Sequence, residues 1–402
     1  MLAGTGAFLP WMFLRVGAMA GTVSCATLVL GLEAYGQLVT ALAVGSFLSP
    51  LAGLGLHMRV MTEWRGTTER RRSWLGALAG EWLVASVICA VLGMTGAFVV
   101  FRPHTPHWLL GGVLGLEVFA ASGVEWMSRI ALMRDGAAAY ARVLALFQAG
   151  RLLLLLPLGF MASGGLAMFA GVWILATGVT LLGMARAVGV PWPILPGHTA
   201  AVTALKAGAP FMAGATAYRL QAEFNKPVIA GMGFALAGAL GLAQRVMDVA
   251  ALPVLALQVG LSQRVFSGAA ALRTIVLQAG LSIGMAGLIG LGIVLIAPMI
   301  GAFLGSDYAP AVRALAQLAA LPALQVLRQT LTLVLVFRAQ SRLLPMAELP
   351  ACAVSMLATV VLVPEIGIVG AIWALYAGEI TQVCLQSGLL RFGTRAASAA
   401  HP

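Results

Sequence analysis

Apolar runs of 18 residues or more follow one another from Trp11 to Leu390, and they restrict the fold more than any other feature of the sequence. A helix of about 20 apolar residues crosses the hydrocarbon core of a bilayer. Inside that core every backbone N–H and C=O has to be satisfied within the chain, which leaves helices and closed barrels. Barrel strands would show as alternating segments of about ten residues, and the sequence has none. Hydrophobic residues make up 61% of the 402 and charged residues only 9%, against about 25% charged in soluble domains. The mean hydropathy is +0.98. The chain is therefore expected to be an all-α polytopic membrane protein.

Twelve helices are predicted, over about 11–30, 37–58, 73–100, 109–133, 143–161, 166–186, 203–230, 238–262, 274–298, 311–337, 345–363 and 368–389. GLEAYG (31–36) reads as an outer turn between the first two, FRPHTPHW (101–108) as a short polar turn, and GAFLGSDYAP (301–310) as another outer turn. A Ser-Gly-Gly turn separates the fifth and sixth. VGVPWPILPGHTAA (187–200) carries three prolines and is the clearest linker. It suggests a six-helix half at 1–190, a cytoplasmic linker at 191–202 and a six-helix half with a short tail at 203–402. Pro50 and Pro253 fall inside the second and eighth helices, each followed by an arginine (Arg59, Arg264), which fits two parallel repeats.

The net charge of +11 does not point to nucleic acid, because the basic residues lie mostly in connections, where they set topology. With the N-terminus inside, Arg59, Arg65, Arg70, Arg71, Arg72, Arg134, Arg142, Arg186, Arg264, Arg273, Arg338, Arg342, Arg391 and Arg395 are cytoplasmic, and Arg102 is external. Both termini are thus expected inside, with the first helix a retained signal anchor. Trp11, Trp74, Trp108 and Trp192 fall near helix ends, as interfacial anchors should. The outer loops are too short for a membrane polymerase or ligase acting on glycans. Cys25, Cys89, Cys352 and Cys384 sit singly in apolar runs, without metal-ligand or disulfide spacing. His104 and His107 form an H-x-x-H pair, but in an external turn with two prolines. No Walker motif, zinc spacing or nucleophile–base pair occurs, so neither an enzyme nor an ATP-driven pump is indicated, and no cofactor or metal is implied.

Charge at bilayer depth costs roughly 2.5–3.5 kcal/mol per residue on insertion scales and marks a partner or a wet cavity. The stretch 206–264 is apolar, yet it holds Arg219, Glu223, Lys226, Arg245 and Asp248. Three pairs have helical spacing and could neutralise themselves: Glu125 with Arg129, Arg219 with Glu223, and Arg245 with Asp248. Arg15, Lys206 and Arg328 could instead snorkel to the cytoplasmic interface. Arg151 has no acid within one turn and needs charge on another helix, water or an anionic ligand. Arginine presents paired donors to phosphate oxygens, so Arg151, Arg219, Lys226 and Arg245, with Arg15 and Arg129 behind them, are the candidate contacts for an anionic substrate. Glu81, Glu117 and Glu379 lack a basic residue within a turn, and they are the candidates for cation or proton coupling, or for hydrogen bonding within the bundle. Glu348 is also deep.

Four segments resemble polysaccharide-unit flippases. LGLEAYGQLVTALAVGSFLSPLAGLGL (30–56) is similar to their Leu-Gly-x-x-x-Tyr-Gly turn and following helix. EFNKPVIAG (223–231) is similar to the end of their seventh helix, GSDYAPAVRALAQLAALPALQVLRQTLTLVLVFRAQSR (305–342) to their Gly-x-x-Tyr-x-x-Ala turn and tenth helix, and VLVPEIGIVGAIWALYAGEI (361–380) to their entry to helix 12. The order and spacing of these motifs span nearly the whole chain. The resemblance implies the multidrug/oligosaccharidyl-lipid/polysaccharide (MOP) exporter superfamily: twelve helices in two six-helix lobes around a central cavity. It also implies translocation of undecaprenyl-pyrophosphate-linked sugar units across the bacterial cytoplasmic membrane, with membrane lipid and enzymes such as a polysaccharide polymerase and glycosyltransferases as partners. By position it carries over Tyr35, Gly36, Lys226, Tyr308, Gly367 and Gly370, while Asn225 stands where an acid is common. The alternatives are a drug or cation antiporter of the same superfamily and a non-transporting scaffold of a glycan-assembly complex.

Overall fold

The structure is a computed structural model describing residues 3–64, 67–100, 107–159, 165–195, 197–266, 271–338 and 343–399. Arg65, the turn 101–106 with Arg102 and His104, most of the Ser-Gly-Gly turn, and Arg342 lie outside the described residues. Among the described residues the regular structure is helical throughout. The first half contains α1 (Ala3–Gly53), α2 (Leu56–Glu63), α3 (Thr68–Val100), α4 (His107–Asp135), α5 (Ala137–Gly159) and α6 (Leu166–Val188). The second contains α7 (His198–Glu223), α8 (Asn225–Ala230), α9 (Phe234–Phe266), α10 (Leu272–Leu304), α11 (Ala309–Gln317), α12 (Leu321–Phe337), α13 (Leu344–Ile366) and α14 (Ile368–Ala399).

Among the described residues ten helical stretches are long and apolar enough to cross a membrane, α1 counted once and α11 and α12 together. The two arms of α1 and the charged α7 complete the expected set. The turn expected at 31–36 is narrower than that. Gly31 alone leaves helical geometry (φ 66, ψ 176), and Leu32–Gly36 already belong to the second arm. That φ is accessible to a residue without a Cβ, which lets the chain break in one step. The seventh helix is not continuous to residue 230 as expected. It stops at Glu223 and resumes as α8, because Pro227 lacks an N–H and its ring crowds the carbonyl four residues back. The tenth is likewise two pieces, with Pro322 in the first turn of α12, where its missing N–H costs nothing.

Two compact units can be distinguished: residues 1–219 with 233–238, and 220–232 with 239–402. In the first, Leu56, Val60, Leu78, Trp126, Met127, Ile130, Phe147 and Leu181 form a core shared by α2 to α6. The first arm of α1 runs parallel to α5: a Cβ on Gly21 would meet Leu152, and the Cys25 thiol donates to the Leu155 carbonyl at 3.4 Å. The start of α1 and the start of α5 therefore lie at the same end. The segment after α6 is tied down as well. The N–H of Ile194 donates to the Gly76 carbonyl on α3 at 2.8 Å, and Arg134 donates to the Val188 carbonyl at 2.8 Å. In the second unit α9, α10 and α12 share Val254, Ala286 and Val326. Much of α10 is exposed, including Leu281, Leu288, Leu295 and Met299. In a bilayer such a face meets acyl chains.

The closest backbone approach in the first unit joins α1 to the start of α9. A Cβ on Gly36 would lie 1.8 Å from the Phe234 carbonyl oxygen, and one on Gly238 would lie 2.1 Å from that of Leu32. Backbone cannot yield as a flexible side chain does, so both positions exclude any larger residue. We predict that Gly36→Leu lowers the melting temperature of the detergent-purified protein, by at least the ~1–3 kcal/mol typical of overpacking. Gly17→Ala, with nothing within 4 Å of the added carbon, should not. Equal melting temperatures for the two variants would refute the packing assignment.

Candidate functional site

The three acids singled out as coupling candidates, Glu81, Glu117 and Glu379, each meet an arginine from a different helix. Glu81 of α3 accepts from Arg59 of α2 at 2.6 Å, and Arg59 also lies 3.5 Å from Glu63. Glu117 of α4 lies 3.7 Å from Arg151 of α5. Glu379 of α14 accepts from Arg328 of α12 at 2.7 Å, with both side chains buried. A buried charge is tolerated when it is paired and hydrogen-bonded. Arg59–Glu81 and Arg328–Glu379 meet both conditions. Arg151 and Glu117 are paired by charge alone, with Glu117 Oε2 buried and without a hydrogen-bond partner among the described residues. Arg328 is thereby corrected from a snorkelling residue to the buried partner of Glu379.

Arg151 also has its charged group on aromatic faces, with its guanidinium carbon 4.1 Å from the Trp173 ring centroid and 5.3 Å from that of Phe147. Its environment is a helix-packing one, made by α4, α5 and α6. The neighbouring indole N–H of Trp173 and hydroxyl of Thr177 are buried and find no hydrogen-bond partner among the described residues.

The helical-spacing pairs come out differently from one another. Arg245 and Asp248 do pair, at 3.6 Å. Glu223 does not pair with Arg219. Its carboxylate accepts from Lys226, one turn on, and both groups are buried. Phe224 between them keeps helical dihedrals (φ -62, ψ -27), so the i,i+3 spacing puts Lys226 on the same face as Glu223. Lys226 thus has an acid beside it even though Asn225 holds the adjacent position. Beside it, both polar atoms of the buried Asn225 amide find no partner among the described residues. Glu125 does not pair with Arg129 either. Its carboxylate lies 4.0 Å from Nδ1 of His57, while the Arg129 guanidinium stacks on the Tyr140 ring at 5.0 Å.

Three of the deep arginines are left without an ion pair among the described residues: Arg15, Arg129 and Arg219. The Nε atoms of Arg15 and Arg129 are buried and find no acceptor. These two converge on Tyr140, which carries the Arg129 stack and lies within electrostatic reach of Arg15. Topology explains the meeting. Arg15 is near the start of α1, Arg129 near the end of α4 and Tyr140 near the start of α5, while His57 follows the second arm of α1. All four lie at one end of the first unit, His57 within electrostatic reach of Arg129. His57, Arg59 and Tyr140 are not singled out by sequence reasoning. A histidine just past an apolar run, or an arginine in a connection, looks like an interfacial residue until the helices are placed.

No family model matches the chain, and no curated protein matches it. Solved structures do. The lipid II flippase MurJ in an inward closed conformation aligns at a TM-score of 0.76 and 10% identity, covering 97% of this chain and 88% of that one. An inward-facing multidrug resistance MATE family transporter of the MOP superfamily aligns at 0.63 and 16% identity, covering 97% and 100%. The MATE multidrug transporter DinF-BH in complex with R6G aligns at 0.64 and 16% identity, covering 96% and 94%. At such identities the likeness is one of fold: the chain is an all-α polytopic membrane protein with the fold found in the MOP superfamily.

The buried pairs yield a stability prediction. Glu379→Gln strips Arg328 of its counter-charge and should destabilise the protein by roughly 3–5 kcal/mol, whereas Arg328→Met with Glu379→Leu should recover most of the loss. Thermal melting of the purified variants checks this. A single variant as stable as the unchanged protein would show that the pair carries no buried charge.

Proposed function

We propose that the protein is a flippase for polyprenyl-pyrophosphate-linked oligosaccharide units, working in the bacterial cytoplasmic membrane during synthesis of an exopolysaccharide, O-antigen or similar glycan. The observation that carries this reading is the pair Arg15 and Arg129. They are deep cations with no carboxylate partner among the described residues, they are brought to one place, and each has a buried N–H donor without an acceptor. Planar guanidinium groups offer paired donors to phosphate oxygens, and an anionic headgroup would supply the charge the fold withholds. The likeness in fold to a lipid II flippase supports a lipid-linked substrate.

In this reading the polyprenyl tail stays in lipid while the pyrophosphate is held by Arg15 and Arg129, with Arg219 as a further contact. Arg151, Lys226 and Arg245 each have an acid beside them, so they rank lower as ligands than their sequence positions suggest. Access alternates by movement of the six-helix halves 1–190 and 203–402 about the linker 191–202, with both termini cytoplasmic. A polymerase and glycosyltransferases would act on either side of the step. The protein performs no covalent chemistry in this scheme.

A drug or cation antiporter has the likeness to MATE structures in its favour. Such a transporter needs deep acids available to a cation; Glu81, Glu117 and Glu379 each lie against an arginine, which leaves Glu125 and Glu348 for that role. Arg15, Arg129 and Arg219, without an ion pair among the described residues, outnumber these two acids, and that balance favours an anion.

Removing the two cations separates these readings. Arg15→Gln and Arg129→Gln should each lower glycan export at least tenfold, and the double variant should abolish it at unchanged membrane abundance. Arg151→Gln should reduce abundance, since it leaves Glu117 buried without its cation. Surface glycan and membrane protein, both quantified in a deletion strain, give the readout. Normal export by the double variant would rule out the cationic headgroup site, and loss of drug resistance without loss of glycan would favour the antiporter.

A further inference from the structure

Among the described residues, the deep acids Glu81, Glu117, Glu223, Asp248 and Glu379 are each paired with an arginine or lysine. Glu125 and Glu348 are the exceptions: Glu348 makes no ion pair among the described residues, and the basic partner of Glu125 is His57. Imidazole is the side chain whose charge ordinarily changes between about pH 5 and 8. The Glu125–His57 pair is therefore one whose net charge can switch near neutral pH, while the arginine pairs stay fixed.

The two groups face each other across a small cavity of about 10 Å³, lined by Ser49, Gly53, His57, Ser122, Glu125 and Trp126 among others. That is room for about one water molecule. The separation of 4.0 Å is too long for a direct hydrogen bond and suits a bridge through one water. The wall supplies a second polar group. The indole Nε1 of Trp126, in a side chain that is 1% exposed, finds no acceptor among the described residues. Glu125 is partly open on its other side, with 46% of its side chain accessible, which gives a proton a way in.

The charged groups around His57 are few. From α4 come Glu125 and Arg129. On its own helix is Arg59, already held by Glu81 of α3 and by Glu63. The cavity residues from α1 and α7, namely Ser49, Pro50, Gly53 and Ala215, do not titrate. His57 follows the end of the first apolar span. Burial pushes its imidazole below the usual value, the Glu125 carboxylate pushes it up, and Arg129 pushes it down again. Burial, the largest of the three, favours the neutral imidazole, and acid favours the protonated one.

We infer that the His57–Glu125 cavity is a proton-binding site that sets the charge beside Arg129, and with it the affinity for the anionic headgroup. With His57 neutral, the Glu125 carboxylate, which makes no ion pair with Arg129, keeps its negative charge and repels an anion held at Arg129. With His57 protonated, the histidine offsets Glu125 and that repulsion is removed. A proton on His57 therefore strengthens anion binding, and anion binding holds the proton, since the coupling is reciprocal. The inference rests on the headgroup site proposed above.

Calorimetric titration of the full chain in nanodiscs with inorganic pyrophosphate, from pH 5 to pH 8, tests it. Comparison with His57→Gln removes the ligand's own ionisation. Affinity at pH 5 relative to pH 8 should be at least fivefold greater in the unchanged protein than in His57→Gln. The same ratio in both would overturn the inference while leaving the headgroup site standing. Absence of pyrophosphate binding at every pH would overturn the headgroup site and the coupling with it. The proton site is read separately by NMR of histidine-labelled protein, with the His57 signal assigned from His57→Gln. Its titration midpoint should move to lower pH in Glu125→Gln and to higher pH in Arg129→Gln. No titration between pH 5 and 8, or an unmoved midpoint in both variants, would overturn the site whatever the calorimetry shows.

Discussion

A charge in a low-dielectric interior has to be compensated, and this one requirement organises the structure. Helix propensity and apolar composition account for spans that could pack in many ways. The pairs Arg59–Glu81, Arg151–Glu117 and Arg328–Glu379 each tie two helices together at one rotational setting. Rotating either helix would leave a buried ion alone, at a cost of several kcal/mol. The pairs specify packing more than they add stability, because apolar residues of similar volume would pack about as well.

Backbone breaks do complementary work. Gly31 divides α1, and the seventh span is interrupted after Glu223, one turn before Pro227. Where helices approach without side chains, as at Gly36 and Gly238, the carbonyls themselves form the contact surface. Breaks and close approaches thus shape the packing within which the charges meet, and the charges in turn hold the approaches.

Against this background of compensated charge, the end of the first unit that holds Arg15, Arg129, Tyr140 and His57 is distinctive. Arg129 stacks there on Tyr140 instead of pairing with an acid, Arg15 lies within electrostatic reach of the same tyrosine, and Glu125 faces a histidine. A fold that pairs five of its deep carboxylates with arginine or lysine has left this place with cations that make no ion pair among the described residues and with a switchable neighbour. Both properties suit a site that must bind an anion and let it go.

The sequence alone determined the class of fold, because runs of 18 apolar residues repeated from Trp11 to Leu390 leave little besides a helical membrane protein. It also determined the number of passes, the punctuation by proline and glycine, and which charges lie deep. Arg245 with Asp248 could be read directly, since their spacing places them on one helical face. Partners across helices could not be read. Arg59 looked like a loop residue, Arg328 like a snorkelling one and Glu117 like a solitary acid, because their partners are 22, 51 and 34 positions away in the chain. Nor could the sequence tell that Glu125 would choose His57 over Arg129, four residues on. Helical spacing permits an ion pair, but the aromatic face of Tyr140 draws the guanidinium away. That competition is settled only once α2, α4 and α5 are packed, and tertiary structure alone could show which arginines keep an unmet charge.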